Sequence, residues 1–144
     1  LILNGSFLYI GTPTLRHGHG NNNFIQRSKP TGWKYGSDGF ELNIGFKYLR
    51  HKDLIYEMKL GNRSVGTESI INEPYKPYDD YVSGIFPSGI VDETYFLNNK
   101  LQWWFKKNIS TIIEANWINS SIEGKEFNVN FGIDIHLPLN HIIE

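Results

Sequence analysis

Between Phe40 and Tyr48 the chain alternates without a break: Phe40, Leu42, Ile44, Phe46 and Tyr48 are apolar, and Glu41, Asn43, Gly45 and Lys47 stand between them. A period of two puts all five apolar side chains on one side of an extended strand. After the polar run Arg50-His51-Lys52-Asp53 the alternation resumes, with Leu54, Tyr56, Met58 and Leu60 set against Glu57, Lys59, Gly61 and Arg63. The two segments read as a hairpin. A second hairpin runs from about Glu93 to Phe105, turns at Lys106-Lys107-Asn108 and returns from Ile109 to Ser120. Tyr95, Leu97, Leu101, Trp103 and Phe105 share one face of its first strand, and Ile109, Ile113, Ala115 and Trp117 share one face of its second. The most regular stretch is the last, where Phe127, Val129, Phe131, Ile133, Ile135 and Leu137 alternate with Asn128, Asn130, Gly132, Asp134 and His136. With Leu1 to Gly11 the pattern predicts six strands, near 1–11, 39–49, 54–66, 93–105, 109–120 and 125–137, joined in sequence order as an antiparallel meander.

The connections alternate in length. Short polar turns at 50–53 and 106–108 fall on one end, and the loops 12–38 and 67–92 fall on the other with a brief link near 121–125. Loops above twenty residues are uncommon in compact domains and tend to carry function. Composition agrees with strands and turns: one Ala and one Met stand against eighteen Ile, fifteen Asn, fourteen Gly and twenty-one aromatics. A helical bundle is excluded on that count. A formal net charge of −1, without a basic stripe, argues against nucleic acid as a partner. The absence of cysteine removes disulfides, thiolate metal sites and a cysteine nucleophile from consideration.

Two architectures produce such alternation. In a soluble carbohydrate-binding β-sandwich the apolar rows are the core; in an outer-membrane β-barrel they meet lipid and the polar rows line the lumen. Loop asymmetry favours the barrel, as do aromatics at both strand ends: Tyr48, Trp103, Trp104 and Phe105 beside the short turns, and Trp33, Tyr95 and Trp117 toward the long loops. Glu41, Lys47, Glu57, Lys59, Arg63, Lys100, Glu114 and Asp134 give the opposite face mixed charge that a watery lumen accommodates. No apolar run reaches the roughly 18 residues of a membrane-spanning helix, which excludes a helical membrane protein but not a strand-built one. Six strands are too few to close a transmembrane barrel, since an open edge in lipid leaves backbone groups unpaired. The expectation is therefore an all-β chain forming the C-terminal part of a larger transmembrane barrel, with residues 1–139 as its last strands and 140–144 as a short tail. Leu1, lying inside an apolar run without an initiator Met, fits missing N-terminal strands.

Asn130-Phe131-Gly132-Ile133-Asp134-Ile135-His136-Leu137 resembles the final-strand insertion signal of bacterial outer-membrane barrels, with Ile135 and Leu137 where that signal prefers aromatics. The resemblance implies recognition by the barrel-assembly machinery. Gly32-Trp33-Lys34-Tyr35-Gly36-Ser37-Asp38 before the strand 40–48, and Phe86-Pro87-Ser88-Gly89 before a later one, resemble loops of the capsule-assembly (Wzi-like) outer-membrane family. That likeness implies a monomeric barrel that holds capsular polysaccharide at the cell surface without catalysis. A porin-like, solute-transporting barrel is the alternative.

Candidate chemistry concentrates in the long loops. Pro74-Tyr75-Lys76-Pro77-Tyr78-Asp79-Asp80-Tyr81 packs three tyrosines and two carboxylates into eight residues. Aromatic faces stack on sugar rings and carboxylates accept their hydroxyls, so Tyr75, Tyr78, Asp79, Asp80 and Tyr81, with Trp33, Tyr35 and Asp38, are the candidate glycan-binding residues. His17 and His19 lack a third ligand at a suitable spacing, and no Gly-x-Ser-x-Gly elbow is present. Neither a metal, a cofactor nor an enzymatic activity is expected.

Overall fold

The computed structural model describes residues 1–16, 25–26, 29–30, 32–50, 53–73 and 84–136. Its strands are β1 (Ile2–Ile10), β2 (Ile25–Gln26), β3 (Lys29–Pro30), β4 (Gly39–Arg50), β5 (Leu54–Gly66), β6 (Val91–Lys106), β7 (Ile109–Ser120) and β8 (Gly124–Ile135). Six of them form a single antiparallel meander in the order β1-β4-β5-β6-β7-β8, and the described residues contain no helix. All six predicted strands are present, each end within two residues of the range read from alternation. The two-residue pair β2–β3, inside the loop expected at 12–38, carries no alternation that could announce it.

Register converts the alternation into rows that run across the strands. On one side Gly5, Ile44, Leu60, Leu97, Trp117 and Phe127 lie opposite one another in turn, and Leu3, Phe46, Met58, Asn99, Ala115 and Val129 form the next row. This apolar side is bare: Ile44 is 56% and Phe131 68% exposed, while Ile70, in a loop, is the one buried hydrophobic residue among those described. Six strands at a spacing of about 4.8 Å, apolar over some eight residues at about 3.3 Å each, present roughly 750 Å². That exceeds the 300–600 Å² or so of the largest apolar patch on a typical soluble monomer.

The other side is polar and concave. One groove of about 610 Å³ is lined mostly by polar residues, Asn4 of β1, Lys47 of β4, Glu57 and Lys59 of β5, Asn98 and Lys100 of β6, and Glu114 and Asn116 of β7, and is completed by Phe46, Met58 and Asn99. In a flat sheet β1 and β7 would stand about 19 Å apart, so a shared cavity requires the sheet to curl toward its polar face. Two glycines on that face make room for the curl. A Cβ added at Gly45 would lie 2.9 Å from the Met58 carbonyl oxygen, and one at Gly61 would lie 2.6 Å from that of Leu42 and strike the Phe96 ring.

Trp103 and Phe105 lie on the apolar side with ring centroids 6.1 Å apart, near Tyr48 and its cross-strand partner Tyr56. Trp104 follows Trp103 by one residue and therefore points to the polar side. Trp33 sits on that side too, its ring against the position a Gly39 side chain would take. The aromatics beside each end are thus divided between the faces.

Gly61→Ala is expected to destabilise the folded protein by about 1–3 kcal/mol, because the added methyl meets both a ring and a backbone carbonyl. Gly132→Ala, whose Cβ meets nothing within 4 Å, should change stability by less than about 0.5 kcal/mol. Urea unfolding midpoints of the two variants check this. Equal midpoints would contradict the close packing at Gly61.

Candidate functional site

At the long-loop end of the polar face, residues 32–38 form a tight turn closed by the Gly36 amide donating to the Trp33 carbonyl at 2.9 Å. Gly36 has φ +85°, and a Cβ there would approach Ser69 Oγ to 2.6 Å, so both conformation and space require glycine. Ser69 Oγ donates to the Tyr35 carbonyl at 2.7 Å, and the Ile70 amide donates to Ser37 Oγ at 3.0 Å. These bonds lock the turn to the segment 67–73 and enclose Ile70.

Asp38 completes the lock. It adopts φ +65°, a left-handed conformation that Asp tolerates better than most residues, and it is fully buried. One carboxylate oxygen accepts from Thr12 Oγ1 at 2.7 Å and from the Ser88 amide at 2.9 Å. The other accepts from Ser88 Oγ at 2.9 Å, while the Asp38 carbonyl accepts from the Gly66 amide at 2.8 Å. Four separate segments meet at this residue. Arg16, also buried, donates from its guanidinium to the carbonyls of Thr12 (3.2 Å), Glu68 (2.6 Å) and Glu73, and so ties residues 11–16 to 67–73.

Above this lock the half-buried aromatic pair Trp33 and Tyr35 meets edge to face, with centroids 5.2 Å apart. Arg63 of β5 stacks on Tyr35, its guanidinium carbon 3.7 Å from the ring centroid, and donates to the Tyr35 hydroxyl. It also donates to Thr94 Oγ1 at 3.2 Å, and its buried Nε has no hydrogen-bond partner. Thr94 in turn donates to Asp92, which accepts from Ser120 Oγ at 2.7 Å and Ser121 Oγ at 3.2 Å. A polar chain thus crosses from the 32–38 turn over β5 and β6 to β7.

Deeper in the groove the charges alternate along one row. Lys47, Glu57, Lys100 and Glu114 are successive cross-strand partners on β4 to β7. Lys47 and Glu57 are 2.7 Å apart, and Lys100 and Glu114 are 2.8 Å apart. All four side chains are about two-fifths exposed, where such a pair contributes at most about 1 kcal/mol. The row matters more as a chemical surface than as a source of stability.

Of the predicted glycan-binding residues, the structure brings Trp33 and Tyr35 together at the long-loop end of the polar face, and Asp38 in the same turn is engaged with Thr12 and Ser88. Tyr75, Tyr78, Asp79, Asp80 and Tyr81 lie outside the described residues, as do His17 and His19. Sequence reading named none of Thr12, Arg16, Ser37, Ser69 or Ser88 as a site residue, Ser37 and Ser88 entering only within loop motifs, since a lone hydroxyl or guanidinium in a loop carries no spacing. The segments 32–38 and 86–89 touch each other here, through Asp38 and Ser88. Among the described residues no group of three or more His, Cys, Asp or Glu could hold a metal ion. No protein family, curated protein or solved structure matches the chain.

Asp38→Ala removes the acceptor shared by Thr12 and Ser88 and places alanine at a positive φ. We expect a loss of roughly 2–4 kcal/mol, from unmatched buried donors and backbone strain together. Limited proteolysis should then cut within 12–16 or 84–90 while the strands stay protected. Unchanged cleavage would show that other contacts hold these loops.

Proposed function

We propose that the six-stranded sheet is part of the wall of a bacterial outer-membrane β-barrel, and that the barrel holds surface polysaccharide without catalysis. The observation that carries this reading is the pairing of a bare apolar face with a polar, concave one on a sheet a single layer thick. In water that arrangement leaves the apolar side unsatisfied; in a bilayer it is the arrangement a barrel wall requires. Strand length agrees: β4, β7 and β8 have twelve residues each, about 40 Å of strand, which spans about 28 Å when tilted by roughly 45°. A soluble sandwich would need a second layer over the apolar face, and none of the described residues supplies one.

Polysaccharide contact draws on Trp33 and Tyr35 at the loop end, with Arg63 behind Tyr35, and on the tyrosine-rich segment 75–81. The outer edge of β8 supplies the surface for the assembly machinery, and the barrel acts as a monomer. A solute-conducting barrel is the second reading, favoured by the charged residues Lys47, Glu57, Lys100 and Glu114 that line the polar groove. Single-channel conductance of the full-length protein separates them: a steady open pore supports conduction, and a closed one supports retention.

Phe131→Arg places a charge on the apolar face and Asn130→Arg places it beside Glu114 on the polar face. Near a bilayer midplane the first should cost about 2–4 kcal/mol of assembly and the second far less. Outer-membrane fractionation with heat-modifiable gel migration reads both. A wild-type protein that stays in the soluble fraction would refute the membrane reading outright. Tyr75→Ala with Tyr78→Ala should lower polysaccharide retention several-fold at unchanged barrel abundance, and unchanged retention would remove that segment from the site.

A further inference from the structure

We infer that the polar groove is a binding subsite for an uncharged, polyhydroxylated oligosaccharide. The inference rests on the lumen reading of the polar face, and adds to it the class of ligand and the residues that grip it. Asn4, Gly45, Lys59, Asn98, Asn116 and Asn128 form one continuous cross-strand row. The amides of Asn4, Asn98 and Asn116 line the groove and make no side-chain hydrogen bond to any described residue. Each amide offers two donors and an acceptor oxygen with two lone pairs, which suits hydroxyls that must donate and accept together.

The neighbouring row decides the charge of the ligand. Lys47, Glu57, Lys100 and Glu114 alternate in sign, and the close Lys47–Glu57 and Lys100–Glu114 pairs cancel locally. Lys59, 3.8 Å from Glu41, is balanced in the same way. An anionic sugar gains from each lysine what it loses to the adjacent glutamate. A neutral one keeps every hydrogen bond at no such cost.

On the loop side of the asparagine row lies Phe96, opposite Gly61, whose missing side chain leaves room for the ring. Lys59 Nζ stands 5.7 Å from the Phe96 centroid. An aromatic face beside free amides takes the C–H side of a sugar ring while the amides take its hydroxyls. Two residues further toward the loops come Arg63 and its stacked partner Tyr35. From that row to the charged row is six residues along β5, about 20 Å, long enough for an oligosaccharide rather than a single sugar. The groove's volume of about 610 Å³ falls within the roughly 300–1,000 Å³ of small-molecule sites.

The test is equilibrium dialysis of the full-length protein, folded in detergent micelles, against maltohexaose and against an oligogalacturonate of equal length. The wild type should retain maltohexaose at least tenfold better than the acidic oligomer. Asn98→Ala with Asn116→Ala should weaken maltohexaose binding at least tenfold, and Phe96→Leu at least threefold, each with heat-modifiable migration preserved. Glu57→Gln with Glu114→Gln leaves the lysines unbalanced and should reverse the preference toward oligogalacturonate. No maltohexaose binding by a correctly folded wild type, an acidic preference in the wild type, or full binding by folded asparagine and Phe96 variants would each overturn the inference. Maltohexaose bound by a protein that fails the membrane fractionation would leave the subsite standing and refute the barrel instead.

Discussion

A sheet one layer thick cannot hide its apolar side from water by itself, and this constraint governs the whole arrangement. Ile70 is the one buried hydrophobic residue among those described, and it belongs to a loop. The strands are therefore held to one another by their backbone ladders and by cross-strand neighbours, not by a core beneath them. An apolar face of roughly 750 Å² has to be met by something equally apolar. The membrane proposal follows from that demand more directly than from any single residue.

The same sheet gives its other face a different task. Gly45 and Gly61 permit the curl that turns a flat polar surface into a groove. The curl brings Asn4 of β1 and Asn116 of β7 to one cavity, although three strands stand between them in the sheet order. At the long-loop end Asp38 binds Thr12 and Ser88, which fastens the loops to one another, and Tyr35 of the same turn stacks on Arg63. The weak, half-exposed ion pairs of the lower row add little stability, which leaves them free to set the character of the surface.

Much of this was legible in the chain. A strict period of two fixes which side each residue of a strand faces, so the six strands, their order and the division between Ile44 and Lys47 or between Phe131 and Asn130 could be read directly. The loops resisted, because their geometry depends on contacts far apart in sequence. Asp38 reads as a glycan-binding loop carboxylate, and its burial against Ser88, fifty residues away, carried no sequence signal. Trp104 and Trp33 read as belt aromatics and face the polar side, one through strict alternation and the other through a turn that folds over Gly39. The groove itself was visible only as a list of charges until register aligned Lys47, Glu57, Lys100 and Glu114 into a row.

The central claim, that the apolar face meets lipid, is tested most directly by scanning β8 with a spin label. The 144 residues contain no cysteine, so single substitutions from Phe127→Cys to Ile135→Cys provide unique attachment points in this segment. In the full-length protein reconstituted into bilayers, labels at 127, 129, 131, 133 and 135 should collide with oxygen dissolved in the lipid. Those at 128, 130, 132 and 134 should respond to a water-soluble nickel chelate, with a period of two and opposite phase. Equal access of both sets to the chelate, or the reverse phase, would contradict the account.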